Sequence, residues 1–185
     1  MRKVVFAVLA SLSLLGCSQG TGSRTLARDG LFFTYKVVSF VRQDVKVKEE
    51  LAKYSFVKNP DGSFTMFQDE YLNDKHHRME KGPYNGNFDD SHHVAAQIAS
   101  RFAIWFSPAK LKKNDLRVDY AVKGEKTWKG HDVYVVTGPF VNSDTPLYYD
   151  KSSGFLLCID DQDKSFSTKY YLVETNAEGL EDFSN

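Results

Sequence analysis

A chain of 185 residues is long enough for one domain with a real core, and its formal charge at pH 7 is zero. No basic excess argues for nucleic acid, and no polybasic run argues for an anionic membrane surface. Ten Tyr, 14 Phe and two Trp favour strands over helices.

At the amino terminus, Arg2 and Lys3 form a basic region and Val4–Leu15 is an apolar run too short to span a bilayer. The run ends in Leu14-Leu15-Gly16-Cys17, which resembles the lipobox of bacterial lipoprotein precursors. That resemblance implies a signal peptide over 1–16, cleavage before Cys17, a diacylglycerol thioether on Cys17 and a further acyl chain, of the palmitate class, on the new amino group. Two or more chains, at ~0.8 kcal/mol per buried methylene, make an anchor that does not readily dissociate. Ser18 after the anchor cysteine is, by the same resemblance, compatible with the outer membrane and a domain facing the periplasm. Losing Arg2 and Lys3 with the signal peptide leaves 22 basic and 24 acidic side chains, a net charge of −2. Cys158 is then the one remaining thiol, so no intrachain disulfide forms, and its apolar surroundings (Gly154-Phe155-Leu156-Leu157-Cys158-Ile159) predict a buried, inert side chain.

Residues 17–30 read as a lipidated tether, because Ser18–Asp29 is rich in Ser, Thr and Gly and has no apolar period. A single domain is expected over 31–175. Leu31–Val41 alternates apolar and polar residues as a strand does, and Asp44–Lys48 extends the pattern as an exposed edge. Leu51–Lys58 and Ser63–Tyr71 flank Asn59-Pro60-Asp61-Gly62, where proline and glycine set the turn of a hairpin. Asn73–Asn87 reads as a loop. Ser91–Phe106 has the one long helical period: Val94, Ala95, Ile98, Phe102, Trp105 and Phe106 share an arc, with Ile104 an exception on the polar side. Asp89, Asp90 and Ser91 would cap that helix and Pro108 would stop it. Strands follow at Leu116–Val122, Val133–Thr137, Leu147–Tyr149, Phe155–Ile159 and Ser165–Glu174, with 176–185 a polar tail. The fold class is therefore α+β, a strongly curved antiparallel sheet covered by one main amphipathic helix.

Chemistry is sparse. His76-His77 and His92-His93 are adjacent pairs, whose side chains diverge on strand or helix alike, and His131 stands alone, so no metal site is expected. Ser107-Pro108-Ala109-Lys110 fits the S-x-x-K string of penicillin-binding enzymes but has no S-D-N or K-T-G partner and reads as coincidence. His131-Asp132 lacks a nucleophile elbow, and no phosphate loop or haem motif occurs. The carboxylates Asp69, Glu70, Asp160, Asp161 and Asp163 cluster in turns. No catalytic residue and no cofactor is assigned, and the chain reads as a non-enzyme.

Trp128-Lys129-Gly130-His131-Asp132-Val133-Tyr134-Val135-Val136, then Leu147-Tyr148-Tyr149-Asp150 and Gly154-Phe155-Leu156-Leu157, resemble the carboxy-terminal hairpins of the LolA/LolB-like lipoprotein-carrier superfamily. The match covers about the last third of the chain. The resemblance implies an incomplete barrel with helix over its apolar side, and carriage of acyl chains or lipoproteins across the periplasm. The expected function is thus a membrane-anchored envelope lipoprotein binding an apolar or acyl ligand, or a lipidated client, between sheet and helix. The residues expected to line that space are Phe56, Met66, Ile98, Phe102, Trp105, Tyr120 and Tyr148. The alternative is a structural or interaction lipoprotein with a filled core that docks an envelope protein.

Overall fold

The computed structural model describes residues 27–42, 45–72, 75–84, 97–98, 102–139 and 145–180. Eleven strands and one short helix occur among them. The amino-terminal strands form a meander of hairpins: β1 (Phe32–Val41), β2 (Val45–Lys58), β3 (Phe64–Leu72) and β4 (Lys75–Tyr84). After two short strands, β5 (Gln97–Ile98) and β6 (Phe102–Ala103), and a helix α1 (Pro108–Lys113), a second meander follows: β7 (Ala121–Trp128), β8 (His131–Thr137), β9 (Pro146–Asp150), β10 (Leu156–Asp160) and β11 (Phe166–Thr175). Pairing of β1 with β11 joins the two meanders into one antiparallel sheet, ordered β4-β3-β2-β1-β11-β10-β9-β8-β7. Its edges, β4 and β7, do not meet, so the sheet is unclosed.

Curvature comes from irregularities in the ladders. Register shifts occur at Thr34/Tyr35, Ser39/Phe40, Phe64/Met66, Val122/Gly124 and Leu156/Cys158. Each puts two residues opposite one, which bends the strand and raises its twist. The Asn59–Ser63 turn forms as its sequence requires. Gly62 takes φ +86°, its amide donates to the Asn59 carbonyl at 3.0 Å, and Asp61 Oδ1 accepts from the Ser63 amide at 2.9 Å.

The pairing register sorts the side chains into two faces. Phe33, Tyr35 and Val37 of β1 share a face with Ala52, Tyr54 and Phe56 of β2, Phe64 and Met66 of β3, Leu172 of β11, Ile159 of β10, Leu147 and Tyr149 of β9, and Val136 of β8. All of these are buried. This face holds the main core. The back of the sheet is solvated across β2–β4, with Leu51 and Tyr71 each about half exposed.

Four expectations from the sequence are corrected. The amphipathic helix over 91–106 is not formed where the chain is described: Gln97–Ile98 pairs with Phe102–Ala103, and Trp105 bridges Phe155. Residues 91–96 and 99–101 lie outside the described residues. Pro108 starts a helix instead of ending one, sitting in the first turn of α1 behind Ser107, where its missing amide hydrogen costs nothing. The strand expected at Leu116–Val122 begins only at Ala121, and Val118 is fully exposed in a turn. The loop expected over 73–87 contains β4, which pairs with β3 from Leu72↔Lys75 to Phe64↔Tyr84.

The ends of the domain are also tighter than composition suggests. Ala27 is buried, Asn176 Nδ2 donates to the Gly30 carbonyl at 3.0 Å, and Asn176 Oδ1 accepts from the Phe32 amide at 3.0 Å. Ala177 and Leu180 are buried too, so the domain runs to at least residue 180.

Candidate ligand-binding face

The segment 102–106 is an extended strap laid on the buried face of the sheet. Phe102, Ala103, Ile104, Trp105 and Phe106 are all buried. A helix on a sheet exposes one side, whereas five consecutive buried residues need partners all round. A strap supplies them by giving its polar groups to the sheet. The Ala103 amide donates to Tyr120 Oη at 2.9 Å, and the Tyr149 hydroxyl donates to the Ala103 carbonyl at 2.8 Å. The Leu156 amide donates to the Ile104 carbonyl at 3.0 Å, and the Phe106 amide donates to the Gly154 carbonyl at 3.0 Å. The Trp105 indole N–H donates to the Ser153 carbonyl at 2.7 Å. These bonds satisfy backbone groups that burial would otherwise leave costly.

Two local features make the landing place. Beyond Cys158, β10 no longer pairs with β11, which leaves the Phe155–Leu156 backbone open to the strap. The β9–β10 turn then presents Gly154 at φ +79°, where a Cβ would stand 2.0 Å from the Phe106 carbonyl oxygen. Only glycine allows the strap so close. The turn is fixed by Asp150, 4% exposed, whose Oδ2 accepts from the Ser152 and Ser153 amides at 3.0 and 2.7 Å and from both serine hydroxyls at 2.5 and 2.8 Å.

Around the strap the surface is aromatic. Phe106 meets Tyr120 edge-on and Tyr149 at a tilt, with ring centroids 4.9 and 5.0 Å apart. Phe33 packs on Phe155 at 4.9 Å, and the Tyr35 hydroxyl donates to the Leu156 carbonyl at 2.6 Å. Burial pushes the Tyr35 and Tyr149 phenols well above the ordinary tyrosine range, so both stay neutral donors. Towards β4 a polar group interrupts the face. Gln68, 2% exposed, accepts from Lys81 Nζ at 2.9 Å and donates to Glu70. Burial holds the Lys81 ammonium below its usual range.

Of the residues expected to line one space, Phe56 and Met66 lie on this face and are directly paired, while Phe102, Trp105 and Tyr120 are gathered at the strap. Tyr148 does not join them. Its register with Val135 and Cys158 puts it on the back of the sheet, against Trp128. Ile98 contributes a backbone pairing with Phe102, and its side chain lies outside what is described. The lining expected from the sequence left out Tyr149, Tyr35, Asp150 and Gly154. The signal was present in Asp150-Lys-Ser-Ser-Gly154, an aspartate followed by two serines and a glycine, which builds a side-chain-capped turn.

The described cysteine and histidines singled out in the sequence lie away from the strap. Cys158 is fully buried on the other face, where burial first and Asp160 second push its thiol far up. His76 stacks on Tyr71 and meets Asp69 at 2.7 Å on an exposed edge. His131 stands 3.6 Å from an Asp150 already engaged by its turn. Among the described residues no cluster of His, Cys, Asp and Glu could hold a metal ion.

No protein family and no curated protein matches the chain. Solved structures do. The crystal structure of MucB aligns with 84% of this chain at 12% identity and a TM-score of 0.42, and the match covers 56% of the MucB chain. A putative outer membrane lipoprotein-sorting protein domain from Vibrio parahaemolyticus aligns with 82% of this chain and 86% of its own, at 10% identity and a TM-score of 0.27. A LolA superfamily protein from Nitrosomonas europaea aligns with 85% of this chain and 90% of its own, at 10% identity and a TM-score of 0.23. At these scores the functional reading falls to the chain's own residues.

Proposed function

We propose that this is a non-enzymatic lipoprotein of the cell envelope, anchored through Cys17, whose strap face takes up an acyl chain or the acylated end of a client. The observation that carries the reading is the way that face is covered. Among the described residues, the aromatic floor of an unclosed sheet is met by a strap held through single hydrogen bonds and not by a packed helix. Lifting the strap releases Tyr120 and Tyr149, which hold Ala103, and uncovers the Phe155–Leu156 segment on which Phe33 and Tyr35 pack. Burying acyl surface there at ~25 cal/mol per Å² supplies affinity without directional chemistry.

Phe33, Tyr35, Tyr54, Phe56 and Met66 are each 0% exposed, so no standing cavity of water size opens onto them. A ligand therefore replaces the strap instead of filling a standing cavity. The same observation favours the second reading, an interaction lipoprotein with a permanently filled core. Organic extraction of the chain purified from envelopes, followed by mass spectrometry, separates the two. Carriage predicts co-purifying acyl species that decrease in Trp105→Ala; absence of any non-covalent lipid supports the filled core. Loss of radioactive palmitate from Cys17→Ser tests the anchor separately.

A further inference from the structure

The back of the sheet bears a second aromatic cluster at the β7–β11 end, on the opposite side from the strap. Trp128, at the tip of the β7–β8 hairpin, lies parallel to Tyr171 of β11 with centroids 6.5 Å apart, and meets Tyr148 of β9 at 6.0 Å. In a flat sheet four strand spacings would separate β7 from β11 by roughly 19 Å, so this end must coil to bring the rings together. Beneath them lies buried Cys158.

Lysines surround the plate. Lys126 Nζ sits 3.6 Å over the Tyr148 ring, and Lys129 Nζ lies 5.2 Å from Trp128 and 5.8 Å from Tyr171. Lys169 is present as well, already joined to Asp160 at 2.7 Å. The hairpin turn, with Lys129 at φ 47° and Gly130 at φ 83°, presents Lys129 at its apex. The sequence contains no basic run; folding gathers these ammoniums from separate strands.

We propose that Trp128 and Tyr171, resting on the buried Tyr148 ring whose hydroxyl bonds Asp160, dock the domain together with the exposed Lys126 and Lys129 on anionic phospholipid headgroups of the membrane that holds the Cys17 anchor, a step that rests on that anchor. Indole and phenol rings with an apolar body and a polar edge suit the headgroup layer, and lysines lay their methylenes along the rings while offering charge to phosphate. Reach is sufficient: a chain extended over 17–26 spans at most roughly 35 Å, and it enters the domain at buried Ala27, beside Asn176 at the end of the strand that carries Tyr171. Docking by the back face leaves the strap face turned away from the bilayer and open to a client.

The test uses the full lipidated chain in vesicles whose lipids carry brominated acyl chains, either pure phosphatidylcholine or phosphatidylcholine mixed with phosphatidylglycerol. Bromine quenches tryptophan at short range, and Trp105 is buried on the other face. The proposal predicts quenching with phosphatidylglycerol only, absent in Trp128→Phe and weakened by salt. Lys126→Gln and Lys129→Gln should each lower the docked-to-undocked ratio about fivefold, as expected for ~1 kcal/mol per basic residue at an anionic surface. Equal quenching with both lipids, quenching with neither, or quenching undiminished in the double lysine variant overturns it. Release by millimolar inorganic phosphate at constant ionic strength also overturns it, by assigning the lysines to a free-phosphate site. None of these outcomes depends on whether the strap face binds acyl chains.

Discussion

Gly154→Ala tests the strap at its tightest point. The substitution asks alanine to adopt φ +79°, which costs ~1 kcal/mol for an L residue, and sets a Cβ 2.0 Å from the Phe106 carbonyl oxygen. Relief requires the strap to move off the turn. That removes the Phe106 amide bond to Gly154 and the Trp105 indole bond to Ser153, each worth ~1 kcal/mol. The sum is ~3 kcal/mol, a large fraction of a domain's stability of about 5–15 kcal/mol. Gly130→Ala is the matched control. Its φ is similar at +83°, but a Cβ there meets nothing within 4 Å, so only the ~1 kcal/mol of backbone conformation is lost. Urea titrations of the two variants should differ by ~2 kcal/mol at equal slope. In a Trp128→Phe background, Trp105 emission should shift to the red in Gly154→Ala alone. Equal stabilities, or unshifted Trp105 emission, would refute the assignment of the strap to this turn.

Other consequences follow from the same structure. Asp150→Ala removes the acceptor of four hydrogen bonds inside the β9–β10 turn and should cost about 2–4 kcal/mol in the same titration, with Asp150→Asn recovering part of it. Tyr35 and Tyr149 have folded pKa values raised above the unfolded 10.0, so their contribution is complete below pH 10 and lost as pH rises beyond it. Together they should give a slope of ~2.7 kcal/mol per pH unit above pH 10, with tyrosinate absorbance appearing in step with unfolding. Cys158 should resist iodoacetamide at pH 8 in the folded chain and react fully in urea; fast native labelling would contradict its place under Trp128 and Tyr171.

The strands were legible where alternation and turn chemistry agreed. Leu31–Val41 and the Asn59–Gly62 turn fall within a residue of the observed β1 and β2–β3 connection, because each carries both an alternating pattern and its own stop signal. β4 was hidden by its composition. Lys75, His76, His77, Arg78, Glu80 and Lys81 leave an edge strand almost no apolar face, which is how an edge avoids pairing with another chain. The strap was misread because Phe102, Trp105 and Phe106 fit a helical arc by spacing alone. Ile104, the residue that broke the arc, is 1% exposed, and it marked Phe102–Phe106 as a continuous apolar run of the kind that extended, fully buried chain produces. Tyr148 and Tyr149 show the limit of composition: only the register at the Leu156/Cys158 bulge decides that Tyr149 faces the strap and Tyr148 the back.

The central claim, that an acyl chain takes the place of the strap, is tested most directly by amide hydrogen exchange with and without saturating palmitate. The amides of Ala103, Phe106 and Leu156 should lose protection on palmitate binding while those of the β1–β11 ladder keep theirs. Palmitate that fails to bind, or that binds with those three amides as protected as before, would contradict the account.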